Sequence, residues 1–167
     1  MSALIPSCTL HYWKIPGRAS LAYLLLKVGG ITCEFVDEDT LQADQQKGYK
    51  TQSPFGQLPC LTDRANDVVV AQSAAIAAYA ARIANLEGPG LKGYAHTVQY
   101  IELEQEIMQF CGKALYSGEA GSPERVQAWT DAKAKVWEKL ERVSANLKDR
   151  SGQVITRFSR EYIAHSF

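Results

Sequence analysis

The sequence predicts an α/β domain with element order β-α-β-α-β-β-α over residues 1–87, followed by a short all-α domain over residues 90–167. Three observations carry that expectation. The apolar period switches from strand to helix and back within the first 36 residues. Two β-rich runs flank the turn-rich segment Asp63 to Asp67. Beyond Glu87-Gly88-Pro89-Gly90, the best linker in the chain, only helical periods continue. A mixed sheet covered by helices is the natural way to bury the faces of the first half.

Cys8 to Tyr12 reads as a short strand, which Pro16-Gly17 breaks. From Arg18, the apolar positions Leu21, Leu24, Leu25 and Val28 recur at helical spacing, and Gly29-Gly30 closes that helix. Cys33 to Val36 is a second strand, joined to the first by a right-handed crossover. The polar segment Asp37 to Ser53 is expected to be irregular with a short helix. Residues 58–62 and 68–71 should pair as an antiparallel hairpin. Ser73 is positioned to cap a helix with the body Ala74 to Ala84. In the second half, Tyr94, Val98, Ile101, Gln105 and Met108, widened by Leu103, Ile107 and Phe110, give a helix over 93–116. Gly118 to Gly121 breaks it, and Ser122-Pro123 supplies an N-cap and a first-turn proline. Val126, Trp129, Val136, Leu140, Val143 and Leu147 then carry a helix over 123–149, which Ser151-Gly152 ends. Val154 to Phe167 follows neither period.

Composition narrows the function. The 167 residues are 46% hydrophobic and 22% charged, as in an ordinary globular protein. Lys+Arg and Asp+Glu both number 18, so no net field attracts nucleic acid or an anionic membrane. Met1 to Leu10 has neither a basic start nor a long apolar run, so no secretory signal is expected. The apolar stretch Ala19 to Val28 is too short to span a bilayer. Cys8, Cys33, Cys60 and Cys111 are too scattered for a disulfide framework, and free, mostly buried thiols in a cytoplasmic compartment are expected. His11, His96 and His165 are equally scattered, so no metal is expected.

Three segments carry chemistry: Leu10 to Arg18, containing Tyr12-Trp13 and Gly17-Arg18; Ser53-Pro54-Phe55-Gly56-Gln57-Leu58-Pro59; and Gln72-Ser73. In order and spacing they resemble the cytosolic glutathione S-transferases of tyrosine type, the alpha, mu, pi and sigma classes. In that family a Tyr closes the first strand, Gly-Arg opens the first helix, and an N-P-x-G-x-[VIL]-P segment precedes an acidic- or Gln-Ser pair. The resemblance covers roughly the first half of the chain. It implies a thioredoxin-like fold for that half, with reduced glutathione as co-substrate.

By that resemblance Tyr12 and Arg18 are the catalytic residues. A free thiol, with a pKa of about 8.5, is only a few per cent thiolate at neutral pH, and each unit of lowering needs about 1.4 kcal/mol. A phenol aimed at the sulfur stabilises the thiolate, which attacks a small electrophile to form a thioether. Arg18 would add positive potential nearby. The implied glutathione-binding residues are Trp13, Lys50, Gln57, Leu58, Pro59, Gln72, Ser73 and Glu106. A cis Pro59 would expose the Leu58 backbone to the cysteinyl unit, beside Gln57. Ser73 and Gln72 would take the γ-glutamyl end at a helix start, Glu106 its amine, and Lys50 the glycyl carboxylate. Without the resemblance, Tyr12 reads first as a half-buried strand aromatic and Ser73 as a helix cap, and Arg18 and Lys50 can be solvated charges.

The second half departs from the family pattern. Members continue past the long helix into a buried helix opened by a Ser/Thr-x-x-Asp box, and no such box follows Leu147. The helical domain thus reads as shortened. Its apolar face needs a cover, which the tail, a second copy of the chain in a homodimer, or another protein would provide. Two functions stay open: glutathione transfer through Tyr12, or a non-catalytic structural or assembly subunit on the same fold. A thiol-disulfide oxidoreductase needs a cysteine at the first helix, and Tyr12 to Arg18 has none.

Overall fold

The computed structural model of the chain describes residues 7–42, 45 and 48–151. The start of the Met1 to Leu10 segment, four residues of the polar segment before Ser53, and the tail Val154 to Phe167 lie outside the described residues. The elements follow the expected order: β1 (Cys8–Tyr12), α1 (Ser20–Val28), β2 (Cys33–Asp37), α2 (Tyr49–Gln52), β3 (Cys60–Asp63), β4 (Val68–Ala71), α3 (Ser73–Ile83), α4 (Gly90–Leu115) and α5 (Pro123–Ser151). By internal contacts the chain divides into two compact units, residues 1–105 and 106–167.

In the first unit the sheet order is β2-β1-β3-β4. β1 runs parallel to β2, with Cys8 opposite Cys33 and Tyr12 opposite Asp37. It runs antiparallel to β3, which forms the expected hairpin with β4. This is the thioredoxin-like arrangement: a β-α-β crossover joined through one central strand to a hairpin. Leu10, Leu26, Leu61 and Ile76 are fully buried around it. Each contributes about 1.5–3 kcal/mol by leaving water.

The buried face of α1 differs from the sequence reading. Ala19, Ala22 and Leu26 point into the core, whereas Val28 is 55% exposed. The cause is the neighbour: α1 packs on α3, which presents Ala77, Ala80 and Ala81. Small residues let the two helices approach closely, so the deepest positions of α1 are Ala22 and Leu26, with Leu21 and Leu25 partly buried against the core. The approach is tightest at the end of α1, where a Cβ on Gly29 would stand 2.2 Å from the Ala84 Cβ.

Asp63, buried at the end of β3, is met by several donors. It accepts from the N–H of Ala65 at 2.9 Å, from Asn66 Nδ2 at 2.8 Å and from the Tyr79 hydroxyl at 2.8 Å. These bonds tie the hairpin turn to α3. The N-terminal part of α4 belongs to this unit and adds Ile101 to its core, while Tyr94, expected on the apolar stripe, is 49% exposed.

The second unit holds the end of α4 and all of α5. Ser122 caps α5 by accepting the Arg125 N–H at 3.3 Å, as the Ser-Pro start predicts. Gly118 and Gly121, at φ +126° and +81°, make the preceding turn. Ala114 and Ala132 are buried, Lys139 pairs with Glu106 at 3.0 Å, and Lys135 lies over the Phe110 ring. Val126, expected on the apolar stripe of α5, is instead 58% exposed.

Candidate functional site

A cavity of about 390 Å³ opens in the first unit, walled by Trp13, Arg18, Tyr49, Gly56, Gln57, Leu58, Pro59, Gln72 and Ser73. Three connections meet there: the loop after β1, the segment entering β3, and the β4–α3 junction. Of the residues singled out from sequence, Trp13, Arg18, Gln57, Leu58, Pro59, Gln72 and Ser73 are thus brought together. Tyr12 is buried and is not itself a wall residue, and Lys50 is exposed on α2, where its neighbour Tyr49 reaches the cavity instead. Glu106 belongs to the second unit and pairs with Lys139 there.

The middle segment is shaped by a serine that sequence reasoning passed over. Ser53 is buried, donates to the Gln57 carbonyl at 2.9 Å and accepts the Gln57 N–H at 3.3 Å. Gly56, at φ +60°, completes that turn, and the Leu58–Pro59 peptide is cis. Gln57 Oε1 then accepts from Gln72 Nε2 at 3.0 Å, joining two sides of the cavity. The signal for Ser53 was its place opening the Pro54-x-Gly56 turn, where a hydroxyl can bond its own loop.

Tyr12 ends β1 with its ring buried, 5.3 Å from the Trp13 ring centroid. Its hydroxyl oxygen accepts the Arg18 backbone N–H at 3.2 Å. Gly17 makes this possible, because a Cβ there would sit 2.8 Å from that oxygen. A phenol that accepts from the backbone retains its own hydrogen to donate. Among the described residues no acceptor for it is present. The Arg18 side chain, in the cavity wall, adds positive charge on the same side.

Ser73 does not cap α3. It is the first helical residue, and Gln72 occupies the cap position at φ +74°, where its carbonyl accepts the Ile76 N–H at 2.9 Å. The Ser73 hydroxyl donates instead to Gln105 Oε1 at 3.0 Å. The unpaired N–H groups at the start of this 11-residue helix still favour a negative group nearby. Burial pushes the Cys8, Cys33 and Cys60 thiols up, Cys33 to about 11, so they remain protonated at neutral pH. Among the described residues, no group of three His, Cys, Asp or Glu side chains could hold a metal ion, and no helix is long and apolar enough to cross a membrane.

A thioredoxin-like sheet, a cis-proline turn and the Trp13-to-Arg18 loop frame this one cleft. Known families place the fold. The profile described as "Glutathione S-transferase, N-terminal domain" matches residues 8–82, so that segment of the chain is similar to the N-terminal domain of glutathione S-transferases. Among solved structures it is similar to the glutathione S-transferase of Ascaris lumbricoides, at 29% identity and TM-score 0.66, covering 84% of this chain and 69% of that one. It is also similar to a monomeric glutathione S-transferase of the hookworm Necator americanus, at 26% identity and TM-score 0.64, covering 87% and 69%. A nematode-specific transferase from C. elegans shares the fold at 22% identity and TM-score 0.67, covering 89% and 70%. Comparison with the curated proteins returned no match. The family and fold together support a glutathione-transferase function in general terms.

Proposed function

We propose that the protein conjugates reduced glutathione to small electrophiles, with Tyr12 stabilising the thiolate. The observation that carries this is the Tyr12 hydroxyl, held by the Arg18 N–H at 3.2 Å with its own hydrogen left to donate. In this reading the cysteinyl sulfur lies beside Tyr12, and Arg18 lowers the cost of its negative charge. The cysteinyl backbone pairs with Leu58 at the cis Pro59, with Trp13 and Gln57 alongside. The γ-glutamyl end reaches Gln72, Ser73 and the start of α3. Lys50, exposed on α2, serves the glycyl carboxylate, whereas Glu106 pairs with Lys139 in the second unit and is given no part in this reading. The division into domains at residues 87–90 and a cytoplasmic, detoxifying role belong to the same proposal.

Calorimetric titration with reduced glutathione, together with a conjugation assay on a general aromatic electrophile, tests it. Tyr12→Phe is expected to keep binding but lose about ten- to a hundredfold in conjugation rate, the worth of one hydrogen bond to an anion. A folded sample that binds no glutathione sinks the reading. The alternative, a non-catalytic assembly subunit, would then lead. It is favoured by Tyr116 and Val126, 83% and 58% exposed in the second unit, which a homodimer or another protein partner could cover.

A further inference from the structure

A polar relay runs from the cavity wall into α4. The buried Ser73 hydroxyl donates to Gln105 Oε1 at 3.0 Å, and Gln105 Nε2 donates to Glu104 Oε2 at 2.6 Å. An ionised carboxylate can only accept. Glu104 therefore fixes the Gln105 amide, nitrogen toward itself and oxygen toward Ser73. The Ser73 hydrogen is then committed to Gln105, and its oxygen offers the cavity lone pairs alone. A protonated Glu104 can donate to Gln105 Oε1 instead. The amide then turns over, Gln105 Nε2 donates to Ser73 Oγ, and the Ser73 hydrogen is released into the cavity.

We propose that Glu104 is a positioning residue which, through Gln105, sets whether Ser73 offers a donor or only an acceptor to a ligand carboxylate. The inference rests on the glutathione reading, in which the γ-glutamyl carboxylate lies at the start of α3. Burial pushes the Glu104 carboxyl up to about 7, against the opposing pull of the Gln105 hydrogen bond and of Arg18, the charged group whose field reaches it from just ahead of α1. The relay thus changes state near neutral pH. Ligand affinity rises as Glu104 gains its proton and Ser73 turns its hydrogen toward the carboxylate.

The test is calorimetric titration with S-methylglutathione, whose sulfur does not ionise, between about pH 5.5 and 8.5. The native chain should bind about tenfold more tightly at the acid end, the worth of one charge-assisted hydrogen bond. Glu104→Gln and Gln105→Met should flatten the profile. A flat profile in the native chain overturns the proposal. So does an unchanged step in Gln105→Met, which would assign the effect to charge acting through space. Glu104→Gln is nearly isosteric and keeps the comparison decisive should Gln105→Met fail to fold, since a step that survives in it removes Glu104 from the mechanism. In each of these outcomes S-methylglutathione still binds, so the glutathione reading stands. Absence of binding at every pH sinks both.

Discussion

Asp63 is a buried carboxylate that stays charged. Burial alone would raise its pKa, but the bonds from Asn66, Tyr79 and the Ala65 and Asn66 N–H groups outweigh it and hold the group below its ordinary 3.8. The same pairing, after burial, pushes the Tyr79 phenol up to about 12. A depressed carboxyl contributes stability that is present above the unfolded pKa and lost as pH falls through the folded value. Asp63→Asn, which leaves the donors facing an amide, should therefore cost about 1–3 kcal/mol at neutral pH by urea unfolding. That deficit should shrink once the pH falls below the usual carboxylate range. A deficit that stays constant down to strong acid would show that the charge is not what the turn requires. The position was legible only as part of a turn-rich segment. Its burial was not, because an Asp before a turn is ordinarily solvated.

Between helices, the packing of α1 on α3 is the contact most sensitive to a single methyl group. Gly29 closes α1 with its N–H bonded to the Leu25 carbonyl and meets Ala84 directly. Gly29→Ala should overpack this junction and cost about 1–3 kcal/mol, read as a lower melting temperature by circular dichroism. Gly30→Ala is the control. It has open space but a φ of +71°, so it should lose only about 1 kcal/mol through backbone strain. Equal losses at both positions would remove close packing as the cause. The limits of α1 were readable from Pro16-Gly17 and Gly29-Gly30, and Leu21 and Leu25 of its expected stripe do pack against the core, but its most buried positions, Ala22 and Leu26, were not. Leucine spacing points to the largest apolar stripe, whereas the inward face was decided by where a neighbouring helix could come nearest.

At the scale of the whole chain, what could be read from sequence was local and regularly spaced. The strand-to-helix switches placed the sheet, and the Tyr12, Pro54-x-Gly56 and Gln72-Ser73 segments placed most of the cavity wall. Long-range pairings were less legible. Nothing in the spacing marks Tyr49 as a wall residue, or joins Ser73 to Gln105 across 32 positions. Gln72 shows how such a site bears on the whole protein. Its backbone stands at φ +74° and ψ 119°, a conformation suited to glycine, while its side chain bridges to Gln57 across the cavity. Gln72→Gly should raise thermal stability by about 1 kcal/mol and weaken glutathione capture, measured by melting and by calorimetry on the same sample. Heat resistance and ligand capture therefore make opposite demands on one codon. A library screened by survival of heating would drift toward glycine there, while a library screened by turnover would keep the glutamine.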